Sequence, residues 1–174
     1  ALGMLSPQWW ELFLALTPWQ LVAMAALVLG THPRPTVRYV GWGVAAFGLG
    51  MAFEILGVHT GAVFGQYGYG PVLGPQVLGV PWVIGLNWAV LAYGCGAVAQ
   101  RWVRPAVGWV PLAAGLMVAL DVLIEPVAIA LGFWHWGGGL PPLQNYIGWA
   151  VVALGIQAVA AGLGIRFESP AAFP

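Results

Sequence analysis

The chain has 174 residues, of which 61 % are hydrophobic and only 6 % charged, with a mean hydropathy of +0.88. A soluble domain carries about a quarter charged residues, so water is not the main solvent here, and the length suits a single integral membrane domain. The formal charge is zero, all five cations are arginine, and no basic patch interleaves with aromatics, which argues against nucleic acid as a partner.

The chain opens on Ala1 without the basic region of a secretory signal and without an initiator methionine, which leaves room for an earlier helix. Five apolar stretches follow, residues 12–29, 37–57, 80–99, 107–131 and 146–165. A hydrocarbon core of roughly 30 Å takes about 20 helical residues to cross, so these stretches predict an all-α, polytopic membrane bundle of about five transmembrane helices. Pro18 predicts a kink in the first helix and Pro126 one in the fourth. The many Gly and Ala positions let helices approach closely. Cys95 stands alone in an apolar run and reads as a small buried hydrophobe.

The arginines set the orientation. Arg34 falls between the first and second stretches and Arg38 at the start of the second, Arg101 and Arg104 between the third and fourth, and Arg166 after the fifth. Five spans place all of them on one side, which the positive-inside rule makes cytoplasmic. A multi-pass protein of the cell membrane is expected, with two longer loops on its outer face. Residues 58–79 are rich in glycine and tyrosine, and residues 131–144 carry Trp134, His135, Trp136, three consecutive glycines and two prolines. Irregular backbone near lipid is buried in protein or lines a cavity, so both loops read as irregular caps over the outer mouth of the bundle. The plainer alternative is an interfacial belt of Trp and Tyr.

Three carboxylates fall inside predicted helices: Glu54, Asp121 and Glu125. Helical rise places them roughly 25, 21 and 27 Å from the arginine ends of their helices, in the outer half. Asp121 and Glu125 are one turn apart on one face. An ionised carboxylate there costs a few kcal/mol, so such groups are paired, wet or protonated. Neighbouring carboxyls can divide the roles of acid and base. The plainer alternative is a polar network tying the second and fourth helices together. His59 and His135, in the outer loops, are candidates for proton transfer, set against a role as hydrogen-bonded loop residues. Asn87 and Asn145 read as supporting or helix-capping groups. Trp82, Trp88, Trp134, Trp136 and Trp149 are packing or belt residues by default, although a desolvated aromatic wall can stabilise a cation by about 0.5 to 2 kcal/mol per ring. Beyond the arginines and Cys95, residues 37–50, 91–99 and 107–118 offer only Tyr39 and Tyr93 as ionisable side chains. An ion translocator needs polar groups along its whole path, so the pattern predicts a site open from one side and from the lipid.

Two sets of segments resemble the signatures of the integral-membrane carotenoid biosynthesis proteins. The first is Glu54-Ile-Leu-Gly-Val-His-Thr-Gly61, Phe64-Gly-Gln-Tyr-Gly-Tyr69, Leu73-Gly74 and Gly79-Val-Pro-Trp82. The second is Asp121-Val-Leu-Ile-Glu-Pro126, Gly132-Phe-Trp-His-Trp136 and Leu140-Pro-Pro-Leu-Gln-Asn-Tyr-Ile-Gly-Trp149. The chain departs from the family in having Glu125-Pro126 where Asp-Pro is usual, and Gly139-Leu-Pro-Pro142 in place of Gly-Val-Pro. The resemblance implies a carotenoid 1,2-hydratase, acting on substrates such as bisanhydrobacterioruberin or γ-carotene. Such an enzyme protonates C2 of a terminal isopropylidene group, forms a tertiary cation at C1 and adds water there, with no redox cofactor and no metal. A di-iron hydroxylase needs histidine boxes, and three histidines are too few.

On this reading Glu54, Asp121, Glu125, His59 and His135 carry the proton chemistry. Tyr67, Tyr69, Trp82, Asn87, Trp134, Trp136, Asn145 and Trp149 surround the substrate. The partners implied are a carotenoid within the bilayer, membrane lipid and other membrane enzymes of carotenoid synthesis. The alternatives are a membrane lycopene-type cyclase, which starts from the same protonation, a transporter subunit and a non-catalytic scaffold.

Overall fold

A computed structural model describes residues 9–167. Five helices in it are long and apolar enough to cross a membrane: α1 (Trp10–Gly30), α2 (Val37–Thr60), α3 (Val83–Trp102), α4 (Ala106–Ala130) and α5 (Leu143–Gly162). The connections from α1 to α2 and from α3 to α4 are short, and they carry or adjoin Arg34, Arg38, Arg101 and Arg104. Arg166 follows α5, so the alternation of helix direction gathers all five arginines at one end of the bundle.

The central helix is α3, which packs against α1, α2 and α4, while α5 packs against α4 and α2. Its buried positions include Gly85, Ala89, Ala92, Gly96 and Ala99. Small residues at these places bring backbones close, which matters where lipid supplies no hydrophobic force between helices. By contrast α1 leaves most of its length exposed.

The third and fifth helices begin elsewhere than the hydropathy suggests. Val80–Pro81 (β3) pairs with Gln76–Val77 (β2) instead of opening α3. The two residues between them, Leu78 and Gly79, have φ of 50° and 80°, the paired positive values of a tight hairpin turn. At the other position, α5 starts directly after Pro142, three residues earlier than expected, and the chain turns away near Gly164. Pro18 and Pro126 both lie inside uninterrupted helices.

The two outer caps are joined. Tyr67–Tyr69 (β1) and Trp134–Trp136 (β4) form an antiparallel pair in which Tyr67 faces Trp136, Gly68 faces His135 and Tyr69 faces Trp134. Backbone bonds from Gly137 to Gln66 and from Gly70 to Phe133, both 2.8 Å, extend the pairing at each end. Side chains alternate along a strand, so Tyr67, Tyr69, Trp134 and Trp136 share one face of this ribbon. At the arginine end, a buried His32 stacks on Tyr39 at 4.0 Å and lies 3.1 Å from the Tyr93 hydroxyl. That end is therefore less uniformly apolar than its helices alone suggest.

Candidate active site

Glu54 sits on a face of α2 that also carries Gly50 and Gly57, four residues before it and three after. A Cβ at Gly50 would come 2.6 Å from the Trp88 ring, and one at Gly57 would come 2.8 Å from Phe64 and from the Tyr67 hydroxyl. The bare helix face is what lets these rings reach the carboxyl between them. Tyr67 and Tyr69 donate through their hydroxyls to Glu54 Oε2 at 2.6 and 2.8 Å, and Trp88 Nε1 donates to Oε1 at 3.0 Å.

Glu125 repeats this plan one helix pair later. Trp134 and Trp136 donate through Nε1 to its Oε2 at 3.0 and 2.9 Å. Asn145, on the first turn of α5, donates through Nδ2 to Asp121 Oδ2 at 2.7 Å and, at 3.5 Å, to Glu125 Oε1. One amide thus bridges the two acids of α4. The inner face of the ribbon feeds α2 from one strand and α4 from the other.

The side chains of Glu54, Asp121, Glu125 and Asn145 are between 1 and 4 % exposed, too little for bulk water to serve them. Their partners are phenols, indoles and an amide, all neutral donors. All four residues line one cavity, together with Asn87 and the Trp88–Trp149 pair, whose rings stack at 4.1 Å. Its free space is about 30 Å³, room for a water or two. In the ribbon, burial and then the adjacent Glu54 carboxyl push the Tyr67 and Tyr69 phenols well above their ordinary range, so both stay protonated donors. Among the described residues, no three His, Cys, Asp or Glu side chains are grouped to share a metal ion.

The structure thus brings together Glu54, Asp121, Glu125, Tyr67, Tyr69, Asn87, Trp134, Trp136, Asn145 and Trp149. It does not bring in His59, His135 or Trp82. His59 lies in the last turn of α2 rather than in a loop, five residues from Glu54 and so about 140° round the helix. It is exposed, with Nδ1 2.9 Å from the Ile55 carbonyl. His135 is exposed because it alternates with two inward tryptophans, and its ring covers Gly68 on the outer face. Trp82 lines a separate cavity of about 390 Å³ with Pro18 and Trp19 of α1. Trp88 and Phe64 belong to the site although nothing in their local sequence separates them from packing residues. The signal that could have found Trp88 is Gly50, a vacancy one turn from Glu54.

A family model described as carotenoid biosynthesis protein matches residues 12–170. The chain belongs to that family. This carotenoid biosynthesis protein is similar to a bisanhydrobacterioruberin hydratase from Haloarcula japonica, with 32 % identity over 134 residues. The alignment covers 71 % of this chain and 45 % of the relative, so the chain spans about half the length of that protein. No solved structure matches this chain.

Proposed function

We propose that this protein hydrates the terminal C1=C2 double bond of an acyclic carotenoid end group. The observation that carries the reading is the unequal sharing of donors. Glu54 accepts from three side chains and Glu125 from two indoles and a longer amide contact. Asp121, the most buried of the three, accepts from Asn145. Asp121, held by a single amide, has the fewest partners and suits the role of the acid, with Glu54 and Glu125 facing it across the same cavity.

In this mechanism Asp121 delivers its proton to C2, and the electron pair of the double bond forms the new C–H bond. The tertiary cation left at C1 is attracted by the two carboxylates and by the faces of Trp88 and Trp149. A water in the cavity adds through its oxygen to C1 and loses a proton to Glu125. Return of that proton to Asp121, its neighbour across the Asn145 amide, restores the acid. The sum is alkene plus water to tertiary alcohol, with nothing oxidised or reduced. Family membership and the hydratase name of the Haloarcula relative support this substrate and outcome. The site lies at the end opposite the arginines, the extracytoplasmic face of the cell membrane if the positive-inside rule holds. The carotenoid then arrives from the bilayer, with neighbouring membrane enzymes of its synthesis as the source.

Co-expression with a lycopene-producing pathway tests the reading. The expected pigment is heavier by one water and carries a tertiary alcohol. A cyclised pigment of unchanged mass favours the cyclase, and acyclic pigments left wholly unchanged overturn both.

A further inference from the structure

The acid cavity has about 30 Å³ of free space, room for a water or two but not for a long hydrocarbon. A second cavity, of about 690 Å³, lies between α1, α3 and α4 and is walled almost wholly by carbon. That volume is within the range of pockets that bury a small organic ligand. Its wall on α3 includes Leu91, Gly94 and Val98, with Leu120 opposite on α4 and Leu27 on α1.

The two cavities lie one after the other along α3. Leu91, Gly94 and Val98 follow Asn87 by four, seven and eleven residues, which is one stripe of a helix. Asn87 itself lines the acid cavity. The stripe therefore starts beside the carboxyls and runs about 16 Å toward the arginine end. On the facing wall Leu120 directly precedes Asp121. The middle of the groove is empty because its floor is glycine: a Cβ at Gly94 meets nothing within 4 Å.

We infer that the groove between α1, α3 and α4 seats the polyene chain of the substrate, with the acyclic end group passing Asn87 to reach Asp121. The inference rests on the hydratase reading for the identity of its occupant. An unbroken hydrocarbon matches a groove walled almost wholly by carbon, and lying along this stripe it presents its tip to the acid, as protonation at C2 requires.

The test uses the full chain in membranes that contain an acyclic carotenoid, comparing wild type with Gly94→Phe and Leu120→Trp, which fill the groove from opposite walls. Gly41→Phe is the control, since Gly41 is exposed on α2 and its Cβ also meets nothing within 4 Å. Pigment retained on purification, read by visible absorbance, and alcohol formed are both measured per unit of folded protein. Overpacking of the usual size predicts a loss of about tenfold or more in both for the two groove variants, with Gly41→Phe like wild type. Wild-type retention and turnover in both groove variants overturn the groove while leaving hydration intact. Lost turnover with full pigment retention also overturns it, placing the damage in the acid cavity. If the wild type forms no alcohol, the hydratase reading fails, and retention alone decides the groove: pigment lost in both variants supports it, pigment kept overturns it.

Discussion

Tyr67 and Trp136 face each other across the ribbon that joins the two caps, with ring centroids 5.1 Å apart, and they donate to carboxyls on different helices. One contact between caps therefore sets the position of a donor on Glu54 and a donor on Glu125. Tyr67→Phe and Trp136→Phe each remove one bond to a buried carboxyl, worth about 1.5 to 3 kcal/mol where the acceptor is charged. Because the two rings touch, the double variant is expected to depart from the sum of the singles by about 0.5 to 3 kcal/mol. Unfolding by titration with a denaturing detergent measures this. A simple sum means that the caps hold their carboxyls independently.

Amide substitutions separate chemistry from architecture. Asp121→Asn keeps an acceptor for Asn145 but cannot give a proton to an alkene. Loss of the acid is expected to lower hydration by about 10² to 10⁴-fold while stability changes little. Glu54→Gln can keep an oxygen for the Trp88 indole, but its amide NH2 then meets the two phenols. These must turn their hydrogens away and accept, as Tyr67 can by donating to the residue 54 carbonyl at 3.2 Å. Two bonds from phenols to a carboxyl are exchanged for rearranged bonds to an amide, at about 0.5 to 1.5 kcal/mol each, so stability falls along with activity. Alcohol formed per unit of folded protein, read beside an unfolding curve, distinguishes the two. Equal destabilisation by both changes removes the special role of Asp121.

Gly50→Ala tests the packing beneath Glu54. The new methyl would stand 2.6 Å from the Trp88 ring, and an indole wedged between helices cannot yield by bending. Overpacking of this type costs about 1 to 3 kcal/mol. Trp88 is expected to leave Glu54, which lowers hydration and shifts tryptophan emission. Unchanged emission and stability indicate that α2 and α3 part without effort.

The two phenols make a prediction about pH. Their folded values are raised, by burial first and by Glu54 second, so the unfolded chain ionises them first as pH climbs. Their contribution to stability is present below the ordinary tyrosine value of about 10 and is lost progressively above it. Thermal unfolding in mild detergent from pH 8 to 11 is expected to be flat and then to fall. The Tyr67→Phe, Tyr69→Phe double variant is expected to fall less steeply, starting from a lower plateau.

The histidines lie away from the cavity, and His59→Gln and His135→Gln are expected to leave hydration within about threefold of wild type, since surface changes typically stay within about 0.5 kcal/mol. A larger loss in product assays would return them to the mechanism.

The spans and the acids were legible in the sequence for physical reasons. Twenty-residue apolar runs have few interpretations, and a carboxyl within one is too costly to be incidental. The ribbon was not legible, because β1 and β4 are three residues each and become strands only by pairing with each other. Their alternation, Tyr-Gly-Tyr and Trp-His-Trp, nevertheless separates inward from outward positions, and on that basis His135 could have been set apart from its neighbours. His59 was misplaced because α2 runs on to Thr60 before Gly61, at φ 66°, ends it. Trp88 was hidden among eleven tryptophans, since its role depends on a missing side chain in another helix.

Each buried acid is followed in the chain by its own donors. Tyr67, Tyr69 and Trp88 come after Glu54, and Trp134, Trp136 and Asn145 come after Glu125. During synthesis, α2 can thus enter the bilayer and have its carboxyl answered by β1 and α3, before α4 exists. The second half can then do the same. Neither acid has to wait in hydrocarbon for a partner from the far end of the chain, and the strand pairing that links the halves is left as the last seam to close.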